Sequence, residues 1–195
     1  MRRSGVAIWN GIRPEGRAEF YEWHTREHML ERVGVPGFRR GRRYIALEGH
    51  PEYFTLYETA TTAVLTGADY LARLNAPTPW TRRATTAFID TSRSLCRVAR
   101  SLGPGAGGLV MTYRFESDPG ELAPALRRVV EQPGVCGAHY CIADREGSGI
   151  RTEEKKNRPP PGIPGWIVLV EGGAERAALE AACASLDLPG PHQRG

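Results

Sequence analysis

One pattern occurs twice along these 195 residues, and it limits the fold more than any single motif. In the first half, apolar alternation predicts strands over residues 6–12, 38–47 and 53–59. Helical periodicity predicts helices over 15–33, opened by Pro14, and over 63–74. In the second half, strands are expected over 109–115, 135–143 and 166–171, with helices over 120–132 and 174–185. Each half reads βαββα. The Pro-Gly pair after the first helix recurs 97 positions on, as Pro36-Gly37 and Pro133-Gly134, and Gly5 and Gly108 precede the opening strands 103 positions apart. A βαββα unit with a closing strand is the ferredoxin-like sandwich, an antiparallel sheet with both helices on one face. The expected fold class is therefore α+β, two tandem ferredoxin-like βαββα(β) units forming an intramolecular, pseudo-dimeric α+β barrel.

The boundary falls in Gly103-Pro104-Gly105-Ala106-Gly107-Gly108. It divides the chain into a first unit over 1–102, a Gly-rich hinge over 103–108 and a second, degenerate unit over 109–195. A closing strand for the first unit is expected around 95–98. Residues 146–165 are charged and Pro-rich, without a core-forming pattern, and read as a mobile loop. After Ser185 the Pro, Gly and Arg content leaves little room for a last strand, so the second unit reads as incomplete.

Composition excludes several classes. The chain is 41% hydrophobic and 25% charged, as expected of an ordinary globular protein. No apolar run is long enough to cross a membrane and no signal-peptide pattern opens the sequence, so the expected location is cytoplasmic with no membrane partner. The net charge of +4 is carried almost wholly by arginine, with acids interspersed and no aromatic-basic motif of a nucleic-acid reader. No nucleic-acid partner is expected. Cys96, Cys136, Cys141 and Cys183 form no C-x-x-C pair and read as reduced structural thiols.

The chemistry concentrates on the first helix. Stepping about 100° per residue sets Phe20, Trp23, His24, Glu27, His28 and Glu31 on one face, where a helix on a sheet normally turns aliphatic residues inward. His28 is the candidate general acid–base, because imidazole titrates near working pH. Glu27 could orient its ring, and His24, one turn earlier, could relay the proton or hold the ligand. The plainer alternative is two rings bonded to backbone carbonyls or to the acids beneath them. His24-Thr25-Arg26-Glu27-His28 is also an H-x-x-E-H string, the spacing of a helical zinc site with a glutamate base. No third ligand is marked downstream, and no metal is assigned.

In the strand after this helix, alternation sets Arg40, Arg42 and Tyr44 on one face and Arg39, Arg43 and Ile45 on the other. Guanidinium at a pocket suits an anionic ligand such as a carboxylate, phenolate or enolate. Arg42 and Tyr44 are therefore candidate ligand contacts, against the alternative of arginines salt-bridged at an interface. Asn10 could place an amide at the pocket mouth, and Trp80, on a Pro-stiffened loop, could cap it. His50 and His139 read as structural, and the tail residue His192 as solvated.

The run Glu19-Phe20-Tyr21-Glu22-Trp23, then Glu27-His28, then Pro36-Gly37-Phe38 and Arg43-Tyr44, resembles the EthD-like branch of the dimeric α+β barrel superfamily. The match covers about the first 60 residues, and the second half shares only the βαββα order. The resemblance implies a small-molecule pocket between helices and sheet, with Trp23 on its wall and His28 as its polar centre. Relatives include cofactor-independent lyases, isomerases and oxygenases of polyketide-like or aromatic compounds, and haem-handling proteins. The second helix carries Arg127, Arg128, Val129 and Val130 where an aromatic and a histidine would be expected, so the second unit is read as a partner sheet without a site. The expected function is an enzyme acting on a small hydrophobic or aromatic, anionic substrate by acid–base chemistry at His28 with no cofactor. Phe20, Trp23 and Tyr44 would form its wall. The competing readings are a non-catalytic binder of haem or another hydrophobic ligand, and an H-x-x-E-H zinc enzyme. A tandem pair is compatible with a closed monomer or a homodimer.

Overall fold

The computed structural model describes residues 4–156, 160–173, 175–188 and 193–194. Eight strands form one antiparallel sheet in the order β2-β3-β1-β4-β6-β7-β5-β8. The first four are β1 (Ser4–Ile12), β2 (Phe38–Ile45), β3 (Tyr53–Thr59) and β4 (Phe88–Leu102). The others are β5 (Leu109–Phe115), β6 (Val135–Asp144), β7 (Trp166–Gly172) and β8 (Gln193–Arg194). Both halves have the same connectivity, β2-β3-β1-β4 matching β6-β7-β5-β8, and they join where β4 pairs with β6.

β1 and β3 are buried along nearly their whole length, which is why they carry continuous apolar and small residues instead of clean alternation. Their inner face packs against the second half, where Ala7, Trp9, Phe54 and Leu56 meet Cys141, Ile167 and Leu169. That layer is the barrel interior. On the outer faces, each half builds a separate helix-on-sheet core, around Tyr57, Tyr70 and Leu74 in the first and around Leu126, Val129 and Leu179 in the second.

The two Pro-Gly turns adopt matching conformations, with Gly37 at φ +92° and Gly134 at φ +81°. Both lie in the left-handed region that glycine enters without steric cost. At Gly37 a side chain would also collide with Val64, 2.5 Å from the added carbon.

Several boundaries differ from expectation. The first helix is three pieces, α1 (Arg17–Trp23), a π turn (His24–His28) and α2 (Met29–Val33). The second predicted helix is a 3₁₀ turn (Thr62–Leu65) followed by α3 (Ala68–Asn75). Trp80 sits on a short helix, α4 (Pro79–Ala84), and not on a loop. The closing strand of the first half runs 15 residues, well beyond 95–98. The second half carries helices α5 (Ala123–Val130) and α7 (Arg176–Ala184), and β8 pairs two residues with β5, giving it the short final strand that composition argued against. His192 lies outside the described residues.

Residues 146–165, expected to be a loose loop, are fastened to the first half at several of their described positions. The helix α6 (Arg145–Gly149) begins the segment, and Asp144 caps it by accepting from the Gly147 amide at 2.9 Å. Gly162 bridges to Ser92, and Ser94 Oγ donates to the Pro164 carbonyl at 2.8 Å. Among the described residues, no helix is long and apolar enough to cross a membrane.

Candidate functional site

A cavity of about 100 Å³ lies on the outer face of the first half's sheet, bounded by the π turn, α3, strands β1, β3 and β4, and the 146–165 segment. The strand residues reach it by alternation. Ile8 and Asn10 face it while Trp9 faces the barrel interior, and Thr55 and Tyr57 face it while Phe54 and Leu56 do not.

The π turn supplies the imidazoles. The Met29 amide bonds the His24 carbonyl, one residue further back than in an α-helix, so one extra residue is accommodated between regular turns. His24 and His28 are both buried, their ring centroids 5.4 Å apart, and both line the cavity. Trp23 lies against His28 at 4.3 Å between centroids. Its indole Nε1–H donates to Thr81 Oγ1 at 3.1 Å, which fixes the ring. Burial, with the positive charge of Arg43 and Arg32 nearby, lowers the His24 pKa to about 3. His24 is therefore a neutral imidazole throughout the physiological range, able to hydrogen-bond a ligand but not to carry a proton.

Two guanidiniums share the cavity with these rings. Arg32, one turn past His28, is buried and paired with Glu154, which arrives from the second half. Arg93, on β4, is also buried and donates from Nη2 to Tyr70 Oη at 2.9 Å. Lys155, Pro160 and Pro161 complete the wall from the second half. The cavity is thus assembled from both halves of the chain.

The sequence-derived candidates separate into three groups. Asn10, Trp23, His24 and His28 line the cavity together. Phe20 and Trp80 stand behind it, in the cluster that supports Trp23 and Ile12. Glu27 is turned away from the histidines and accepts from Thr78 Oγ1 at 2.6 Å and Thr81 Oγ1 at 3.1 Å, tying the π turn to α4. Arg42 and Tyr44 are on the opposite face of the sheet. Arg42 Nη2 donates to Glu171 Oε1 at 2.9 Å in the barrel interior, and Tyr44 stacks on Phe54 at 5.8 Å beside a second cavity of about 120 Å³. Alternation correctly separated Arg42 and Tyr44 from Arg43, which lies over the rings of Phe20 and Tyr21 on the helix side. It could not say which face met the helices.

His139 sits in the same interior network, 3.3 Å from Glu171, with Ser101 Oγ at 2.8 Å from its Nδ1. Among the described residues, no cluster of three or more His, Cys, Asp or Glu forms that could hold a metal ion. With Glu27 bonded to Thr78 and Thr81, the H-x-x-E-H string lacks its glutamate base. The cavity's volume is below the several hundred Å³ of pockets that enclose drug-sized ligands. Sequence reasoning missed Arg32, Tyr57, Arg93 and Glu154. Only Arg32 had a local signal, four residues after His28 on the same helix face.

No family model matches the sequence, and no curated protein matches it. Solved structures do match its fold. An anthrone oxidase-like protein superposes with a TM-score of 0.56 at 11% identity, covering 98% of this chain and 88% of its own. A candidate monooxygenase from Fusobacterium nucleatum superposes at 0.57 and 8% identity, covering 99% and 90%. Another from Lactobacillus acidophilus superposes at 0.53 and 8% identity, covering 100% and 92%. At these identities the likeness establishes the fold, a mixed α+β protein of the dimeric α+β barrel type.

Proposed function

We propose that this chain is a small-molecule enzyme that transforms a polyketide-like or aromatic metabolite by proton transfer at His28, with no organic cofactor. The observation that carries this reading is the pair of buried imidazoles 5.4 Å apart in a cavity walled by Trp23 and two guanidiniums. His24 is locked neutral, which leaves His28 as the ring available for acid–base work. His28 removes a proton from an acidic C–H or hydroxyl of the bound ring, and the charge left on the substrate is an enolate or phenolate. Return of the proton at another carbon isomerises the substrate, and loss of a β-hydroxyl dehydrates it. With dioxygen as co-substrate, the same anion is the electron donor of an oxygenation. The names borne by the structural neighbours, anthrone oxidase-like and monooxygenase, favour the last of these.

Oxygen uptake and product formation with an anthrone, compared between wild type and His28→Ala, test the assignment. Loss of about 10²–10⁴ in turnover is expected. Full turnover in His28→Ala would remove it. A Soret band on addition of haem, without turnover of any substrate, would support a binding protein instead.

A further inference from the structure

We propose that Arg93 is the anion receptor of the histidine cavity and Tyr57 the second polar contact, so that the ligand presents a single oxyanion, carboxylate or phenolate, on an aromatic ring. The proposal deepens the reading above and rests on its view of the cavity as the substrate's site, though not on catalysis by His28.

The two cavity guanidiniums differ in one respect. Arg32 has a counter-charge, since Glu154 pairs with its Nη2 and Glu31 lies 3.9 Å from its Nη1. Arg93 has none among the described residues. Its Nη2 is bonded to a neutral phenol at 2.9 Å, and its Nη1 is buried with no hydrogen-bond partner. Strand pairing of Arg93 with Ile8 and the bond from its amide to the Gly162 carbonyl at 2.8 Å fix the backbone, so the side chain cannot swing out to solvent cheaply. An arginine only 9% exposed and lacking a carboxylate costs several kcal/mol of desolvation unless something neutralises it.

Across the same cavity, Tyr57 is 1% exposed, and its hydroxyl also lacks a hydrogen-bond partner. Burial raises its pKa, so it remains a neutral O–H and can donate to a ligand oxygen. A guanidinium and a phenol with unused donors border a space whose apolar wall is Ile8, Trp23, Leu74 and Phe88, and whose other cations, Arg32 and Lys155, are bonded to Glu154 and to the Ser148 and Ile150 carbonyls. The complement of that surface is a flat apolar ring with an oxyanion at one edge and a second oxygen to accept from Tyr57. The volume of about 100 Å³ suits one ring, and the rest of a larger polycycle would leave past Pro160, which is exposed.

Titration calorimetry with benzoate, 4-nitrophenolate and neutral benzamide tests this. Wild type should bind one of the two anions at least about tenfold tighter than benzamide, and Arg93→Gln should abolish that preference. Tyr57→Phe should weaken the preferred anion severalfold. If Arg93→Gln fails to fold, the wild-type preference and Tyr57→Phe still decide. Equal binding of anion and amide by wild type, no binding of either anion, or an unchanged preference in Arg93→Gln would overturn the proposal. Turnover surviving in His28→Ala would sink the catalytic reading and leave this one standing.

Discussion

His24 shows how one residue's surroundings decide its chemistry. In the unfolded chain its pKa is near 6.5, and in the native protein burial, Arg43 and Arg32 bring it to about 3. Between these values the unfolded state binds a proton that the native state does not, so stability falls as the pH drops below 6.5. His24→Gln removes this contribution. Between pH 7 and pH 5, wild type should lose about 2 kcal/mol more unfolding free energy in urea than His24→Gln does. Equal losses would mean that the ring is hydrated. The same neutral state explains why His24 cannot serve as the proton carrier that its spacing from His28 suggested. The cavity residues Asn10, Trp23, His24 and His28 were legible in the sequence because each sits in an element whose periodicity was clear. Arg93 was not, because the run Asp90-Thr91-Ser92-Arg93-Ser94 around it is wholly polar and lacks the alternation that marks a strand.

Among the elements, the π turn and the 146–165 segment are the two that periodicity could not foresee. Regular steps of about 100° set Glu27 and His28 on neighbouring parts of one face. The extra residue in the turn redirects Glu27 to Thr78 and Thr81 while both histidines stay on the cavity. Deleting Thr25, which is exposed, should restore a regular helix with its flanking faces in place but bring the histidines three residues apart. Turnover is expected to fall at least about tenfold, with the thermal midpoint shifted by no more than about 5 °C. Unchanged turnover would show that the imidazole spacing is irrelevant. The segment read as loose because it is charged and Pro-rich, yet its charges have specific destinations. Glu154 reaches Arg32, and Lys155 Nζ donates to the Ile150 carbonyl at 2.7 Å. Glu154→Gln leaves Arg32 buried beside a neutral amide. It should cost about 3 kcal/mol and make the segment a protease site, read by urea denaturation and limited proteolysis.

At the scale of the whole molecule, the order of strands and helices was readable from the doubled grammar, whereas the contacts across the halves were not. Those contacts join residues far apart in sequence. Trp9 Nε1 donates to Thr112 Oγ1 at 3.1 Å, and Arg42 grips Glu171 across the interior. Glu171 is fully buried. Burial opposes its charge, but the bonds from Arg42 and His139 outweigh it and hold the carboxyl well below the usual carboxylate range. Its contribution to stability is therefore present above the unfolded pKa of about 4.5 and is lost as the pH falls toward the lowered native value. Glu171→Gln should cost about 3 kcal/mol at pH 7, because Arg42 loses its two-bonded partner and keeps only Glu58, 3.4 Å from its Nη2. It should also remove part of the acid sensitivity expected of wild type below pH 4.5. The double variant Arg42→Met, Glu171→Leu, which removes both charges and keeps the volume, should recover most of that loss in urea unfolding. If the single variant is as stable as wild type, the pair does not hold the halves together and the apolar layer around Trp9 and Leu169 does so alone.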